Sequence, residues 1–68
     1  MTPNGAAIRS IREARGLSLR RLASLAERTP SFLSRIETGQ RQASDDTLRQ
    51  IAAALGIPID AITRETPP

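Results

Sequence analysis

The sequence has no cysteine, histidine, lysine, tryptophan or tyrosine, and Phe32 is its only aromatic residue. Each absence closes off chemistry. Without cysteine there is no disulfide and no thiolate metal site to staple a small fold. Without histidine, cysteine or lysine there is no imidazole base, no thiolate nucleophile and no Schiff-base amine. Carboxylates, serine, threonine and arginine remain. The one close carboxylate pair, Asp45-Asp46, stands at the start of a predicted helix, where acids complement the dipole. No catalytic set assembles from these residues, so no enzyme, cofactor or metal is expected. A lone aromatic is also too little for a platform that stacks single-stranded bases. No apolar run reaches membrane length, and the opening MTPNGAAIRS is too polar for an export signal. The expectation is a cytoplasmic protein with no membrane partner.

What the sequence does hold is arginine. All ten basic residues are Arg, against seven acids. Residues 1–41 carry eight arginines and three glutamates, a balance of +5, while residues 42–68 carry two arginines and four acids, a balance of −2. A basic front half and an acidic back half suit a molecule that turns one face to a polyanion. Arginine spread over solvated helix faces is the plain alternative. Residues 1–68 make one small domain. Such a chain hides only ~60% of the surface it exposes when unfolded, so it must pack efficiently, and helices with local contacts do this best.

Ala7, Ile8, Ile11 and Ala14 recur at helical spacing before a Gly16 stop, which predicts a first helix over about residues 4–15. Its start is open between Thr2-Pro3, as cap and first position, and Asn4 as cap. Ser18 stands where an N-cap belongs, ahead of Leu19, Leu22, Ala23 and Ala26, for a second helix of about eight residues. Thr29-Pro30 repeats the cap-plus-proline signature. Leu33 and Ile36 then form the inward stripe of a third helix ending at Gly39. Ser44 to Thr47 open a fourth helix with Leu48, Ile51, Ala52 and Leu55 on its buried face and Gly56 as its stop. Beyond Pro58, Ile59 and Ile62 predict one more short turn, and the closing RETPP, residues 64–68, is expected to fray. There is no strand pattern, repeat or low-complexity segment. The predicted fold is all-α, a compact bundle of five short helices.

Only Glu27, Arg28 and Thr29 separate the second and third helices. Short helices joined so tightly cross steeply, which is the helix-turn-helix geometry, and the second of them can enter a DNA major groove. The run LSLRRLASLAERTPSFLSRIETGQRQASDDTLRQIAAALGI resembles the phage repressor–Cro type helix-turn-helix family, also called the xenobiotic-response-element family. The family pattern is a capping Ser or Thr, Leu-Ala, a short turn, a recognition helix ending I-S-x-I-E-x-G, and later T-L-x-x-I-A-x-A-L. Ser18, Leu22-Ala23, LSRIETG and TLRQIAAAL match it, and the resemblance covers about residues 6–62. Four positions depart from the pattern. Leu19 stands where the family often has a Gln that steadies a phosphate contact, and Glu27 replaces the usual turn Gly. Leu25 lies on a face that is usually polar, and Pro58 removes the side-chain cap that commonly opens the last helix.

The inward stripe leaves Pro30, Ser31, Ser34 and Arg35 facing out, and the resemblance puts base-reading positions on Pro30, Ser31 and Arg35. Pro30 can offer only apolar contact, as to a thymine methyl. Ser31 can donate or accept, and the Arg35 fork matches guanine O6 and N7. A solvated surface arginine is the alternative for Arg35. The resemblance assigns phosphate contacts to Ser18, Thr29, Thr38, Gln40 and Arg41, to which Arg20, Arg21 and Arg28 can add. Phe32 either packs against the second helix or joins the DNA contact. The resemblance also pairs Arg12 with Glu37, in a salt bridge that orients the recognition helix; two exposed charges are the alternative.

The implied function is sequence-specific binding of double-stranded DNA by a bacterial or phage transcription regulator, nucleoid-associated when bound. It is expected to repress by occluding a promoter, as a homodimer on a two-fold site with half-site centres about 34 Å apart or a multiple of that. Leu55, Ile59 and Ile62 are the candidate dimer contacts, and no small-molecule ligand is expected. The alternative is a protein-interaction module, such as an antitoxin or an accessory factor that recruits a partner protein. Leu19 and Leu25 speak for it by adding apolar surface to the second helix.

Overall fold

The computed structural model describes residues 1–64. Four of the sequence's small polar residues become helix caps. The Asn4 side chain accepts from the Ala7 N–H at 3.1 Å and opens α1, Gly5–Ala14. Ser18 accepts from Arg21 at 3.0 Å at the head of α2, Leu19–Leu25. Thr29 accepts from Phe32 at 3.2 Å before α3, Pro30–Glu37, and Ser44 from Thr47 at 3.2 Å before α4, Asp45–Leu55. In each case the side chain satisfies a backbone donor that the first helical turn leaves orphaned. The choice left open for α1 falls on Asn4, and its helical span is one residue shorter at each end than the spacing predicts.

The four helices also end alike. The N–H two residues past the last helical turn returns to a carbonyl five residues back, as in Leu17 to Arg12 at 3.0 Å and Gln40 to Arg35 at 2.8 Å. That closure needs a left-handed residue in the middle, and Gly16, Gly39 and Gly56 supply it after α1, α3 and α4. After α2 the left-handed residue is Glu27, at φ 57°.

Pro58 opens the last helical piece without a side-chain cap, and that piece, Ile59–Ile62, is a single 3-10 turn. The sequence reading of no strand is corrected at the chain ends. Thr2–Pro3 (β1) pairs antiparallel with Thr63–Arg64 (β2), in the register Thr2 to Arg64 and Pro3 to Thr63. A ladder of two residues per strand has no alternation to read, and Pro3 gives no donor to it. Asn4 N–H extends the tie to Ile62 O at 2.8 Å, and the Arg64 guanidinium donates to the Asn4 side-chain oxygen at 3.2 Å. Arg64, the first residue of the expected tail, is thus paired with Thr2 and Asn4; the rest, 65–68, lies outside the described residues.

The core joins Ile8 of α1, Leu22, Ala23 and Ala26 of α2 and its cap, Leu33 and Ile36 of α3, Leu48, Ile51, Ala52 and Leu55 of α4, and Ile62. This corrects two of the three candidate dimer contacts. Leu55 and Ile62 are fully buried against their own chain, so neither can reach a second copy without opening the core. Ile59 stays half-buried at the edge. The fold thus wedges α3 between α1 and α2, with α4 closing the far side against α2 and the 3-10 turn.

Candidate nucleic-acid interface

The inner side of α3 is spent on the core through Leu33 and Ile36. Its outer side carries Pro30, Ser31 and Arg35 exposed and Ser34 half-buried. These four border one shallow, open groove of about 450 Å³, together with Leu19 and Gln40. The structure therefore brings all four predicted base-facing residues to one place. Leu19 joins them from the first position of α2, and Gln40 from the loop beyond α3. In the sequence Leu19 stands out as a missing polar contact and as apolar surface on the second helix; its place as a wall of the groove needs the crossing of the two helices.

Two devices on α1 fix the angle of α3. Arg12 Nε donates to Glu37 Oε2 at 2.8 Å and Nη2 to Oε1 at 3.2 Å, a fork-to-fork pair, while Nη1 donates to Leu17 O at 2.9 Å. The side chains are only 12% and 5% exposed. Glu37 occupies the last turn of α3, where the helix dipole disfavours an acid, and the guanidinium offsets that cost. The hydrogen bond to Glu37 raises the Arg12 pKa further above its ordinary value, against the opposing effect of burial, so this group stays charged. The second device is Gly5. A side chain there would run into the backbone carbonyls of Ile36 and Glu37. The start of α1 thus abuts the end of α3, and only glycine allows it. Sequence reasoning passed over Gly5; the one available signal was a glycine inside a predicted first turn with no stop or tight turn to justify it.

The turn between α2 and α3 is tied down from α4. Arg28 donates to Glu27 O and to Thr47 Oγ1, both at 3.0 Å, and the Ser44 hydroxyl donates to the same Thr47 oxygen at 2.9 Å. Thr47 is 4% exposed, so these donors also satisfy a buried acceptor. Arg28, expected at a phosphate, is half-buried and holds the turn in place.

The remaining predicted residues lie next in sequence to those of the groove or on the same two helices and their caps. The Ser18 and Thr29 hydroxyls accept from their capped helices and stay exposed. The Thr38 hydroxyl donates back to the Ser34 and Arg35 carbonyls at 3.1 and 3.3 Å. Phe32 is half-buried against the core, and the Arg41 guanidinium lies 4.7 Å above the centre of its ring. Arg20, Arg21 and Arg35 are exposed, and none has a carboxylate partner among the described residues. Arg9 and Arg49, by contrast, reach Glu13 at 3.6 Å and Asp46 at 3.4 Å. No group of acids able to hold a metal ion occurs among the described residues, and no helix is long and apolar enough to cross a membrane.

A helix-turn-helix domain family model matches residues 5–64. In sequence the chain is 40% identical, over 58 residues, to an uncharacterised HTH-type transcriptional regulator of Mycobacterium tuberculosis, covering 85% of this chain and 41% of that protein. It thus spans about two fifths of the length of the curated relatives it matches. In structure it is similar to the restriction-modification controller protein C.AhdI from Aeromonas hydrophila, with TM-score 0.82 and 35% identity over 84% of this chain and 86% of that one. It is also similar to SinR, the master regulator for biofilm formation, in complex with DNA, with TM-score 0.78 and 32% identity over 82% of this chain and 90% of that one. Motif, helix order and these likenesses agree: the chain belongs to the phage repressor–Cro type helix-turn-helix family.

Proposed function

We propose that this chain is the double-stranded-DNA-reading module of a transcription regulator, with α3 as its recognition helix. The observation that carries the reading is the groove itself: Pro30, Ser31, Ser34 and Arg35 converge on it, and among the described residues no carboxylate lines it and Arg20, Arg21 and Arg35 have no carboxylate partner. Arg35 offers its fork to guanine O6 and N7, a contact worth about 1–3 kcal/mol of discrimination. Ser31 and Ser34 bond to neighbouring base edges. Ser18, Thr29, Thr38, Gln40, Arg20 and Arg41 hold phosphates, and Arg41 lies over the Phe32 ring. Arg12 and Glu37 touch no DNA and set the approach angle.

The regulator acts as a repressor by covering a promoter, and as a homodimer on a two-fold site, because one small module buries too little surface for high specificity. Ile59 is the dimer contact that remains after Leu55 and Ile62 are assigned to the core. A selection from random duplex DNA, run at two salt concentrations with Arg35→Ala beside the parent chain, tests the reading. A two-fold site should be enriched by the parent and lost by the variant. Retention that follows salt alone, equal for both, would overturn it.

Leu25, 44% exposed on α2, favours a second reading as a partner-recruiting module. Leu25→Glu separates the two, since a DNA reader keeps its site and a recruiting module loses its partner protein.

A further inference from the structure

The groove on α3 is not uniformly polar. Leu19 and Pro30 contribute nothing but carbon from their side chains, while Ser31, Ser34, Arg35 and Gln40 give the same groove its polar atoms. Leu19 and Pro30 each occupy the first position of their helix. Leu19 is half-buried and packed against the core, so what it shows to the groove is a fixed apolar surface and not a mobile chain. Pro30 is rigid by its ring. An apolar wall beside an arginine fork has one natural occupant in a major groove. The 5-methyl group of a pyrimidine is the apolar feature that base pairs present there.

We infer that Leu19 and Pro30 form a seat for the 5-methyl group of a pyrimidine, next to the base read by Arg35. This deepens the proposed DNA-reading function and rests on it. The seat takes thymine or 5-methylcytosine by the same methyl, and cytosine or uracil leaves it empty. Seating one methyl is equivalent to burying about one methylene, so its removal should weaken binding about fourfold.

The test uses a duplex from the random-sequence selection and measures affinity by fluorescence anisotropy. Each thymine of one half-site is replaced in turn by uracil, and at the sensitive position cytosine is compared with 5-methylcytosine. The expected result is one position per half-site where uracil costs about fourfold. That cost should vanish in Pro30→Ala and in Leu19→Gln, with thermal melting confirming that each variant is folded. A gain from 5-methylcytosine over cytosine assigns the seat to the methyl whatever the base; a gain confined to thymine assigns it to thymine's methyl and edge together. If uracil is neutral at every position while Arg35→Ala still loses preference for the site, the seat does not exist and the DNA-reading function stands. If the parent selects no site at all, both fall.

Discussion

Glu27 holds φ at 57°, in the turn where the other three helices of this chain use glycine. A side chain in the left-handed region costs about 1–2 kcal/mol, and glycine would give back about 0.5–1 kcal/mol of that through the freedom it adds to the unfolded chain. Glu27→Gly should therefore stabilise the domain by about 0.5–1 kcal/mol, raising Tm by a few degrees, with Glu27→Ala close to neutral. A calorimetric scan of the three proteins checks this, and a lower Tm for the glycine variant would show that the turn is not strained. The Arg12–Glu37 pair is the opposite case. With side chains 12% and 5% exposed, removing one partner strands the other, and Glu37→Ala or Arg12→Ala should cost about 3–5 kcal/mol by urea denaturation. Replacing both by apolar residues should cost much less. The raised Arg12 pKa adds no pH dependence near neutrality: its stabilisation is complete below the unfolded-state value and is lost only as pH climbs through the higher folded-state one.

At the scale of elements, the contact to test is that between α1 and α3. Gly5→Ala adds one methyl against two backbone carbonyls that cannot rotate away, so α1 and α3 must separate. The expected cost is about 1–3 kcal/mol, and because α3 shifts with the change, DNA affinity should fall further than the loss of folded protein accounts for. Chemical denaturation and a binding isotherm on the folded fraction measure the two parts. This contact also marks where sequence reading stopped. The four helices and the caps Ser18, Thr29 and Ser44 were legible, and Asn4 as one of two choices, because these residues act locally, within three residues of the donors they satisfy. The outward set on α3 was legible because Leu33 and Ile36 fix which side faces in. Gly5 against Ile36, Leu19 beside Pro30 and Arg28 on Thr47 were not, since each joins residues from different elements and leaves no periodic trace. Leu55 and Ile62 failed as dimer contacts for the same reason: an apolar residue of the C-terminal elements reads alike whether its partner is another copy or the chain's own core.

For the whole molecule, the basic front half and the acidic back half become two regions of different task. The arginines at 20, 21, 35 and 41 surround the α2–α3 unit and have no carboxylate partner among the described residues, whereas the acids Asp45 and Asp46 complement the start of α4. Binding should therefore weaken steeply with salt, and Arg41→Ala should lower the slope of log affinity against log salt by about 0.9, one phosphate's worth, with little effect on which site is chosen. Arg35→Ala should do the reverse and relax the choice of site. The most direct test of α3 as a reading helix replaces guanines of the selected site one at a time by 7-deazaguanine, which lacks the N7 acceptor that Arg35 is assigned. The account predicts one guanine per half-site at which the parent chain loses about five- to a hundredfold in affinity and Arg35→Ala loses nothing further. Equal losses in both proteins, or no loss at any guanine, would contradict it.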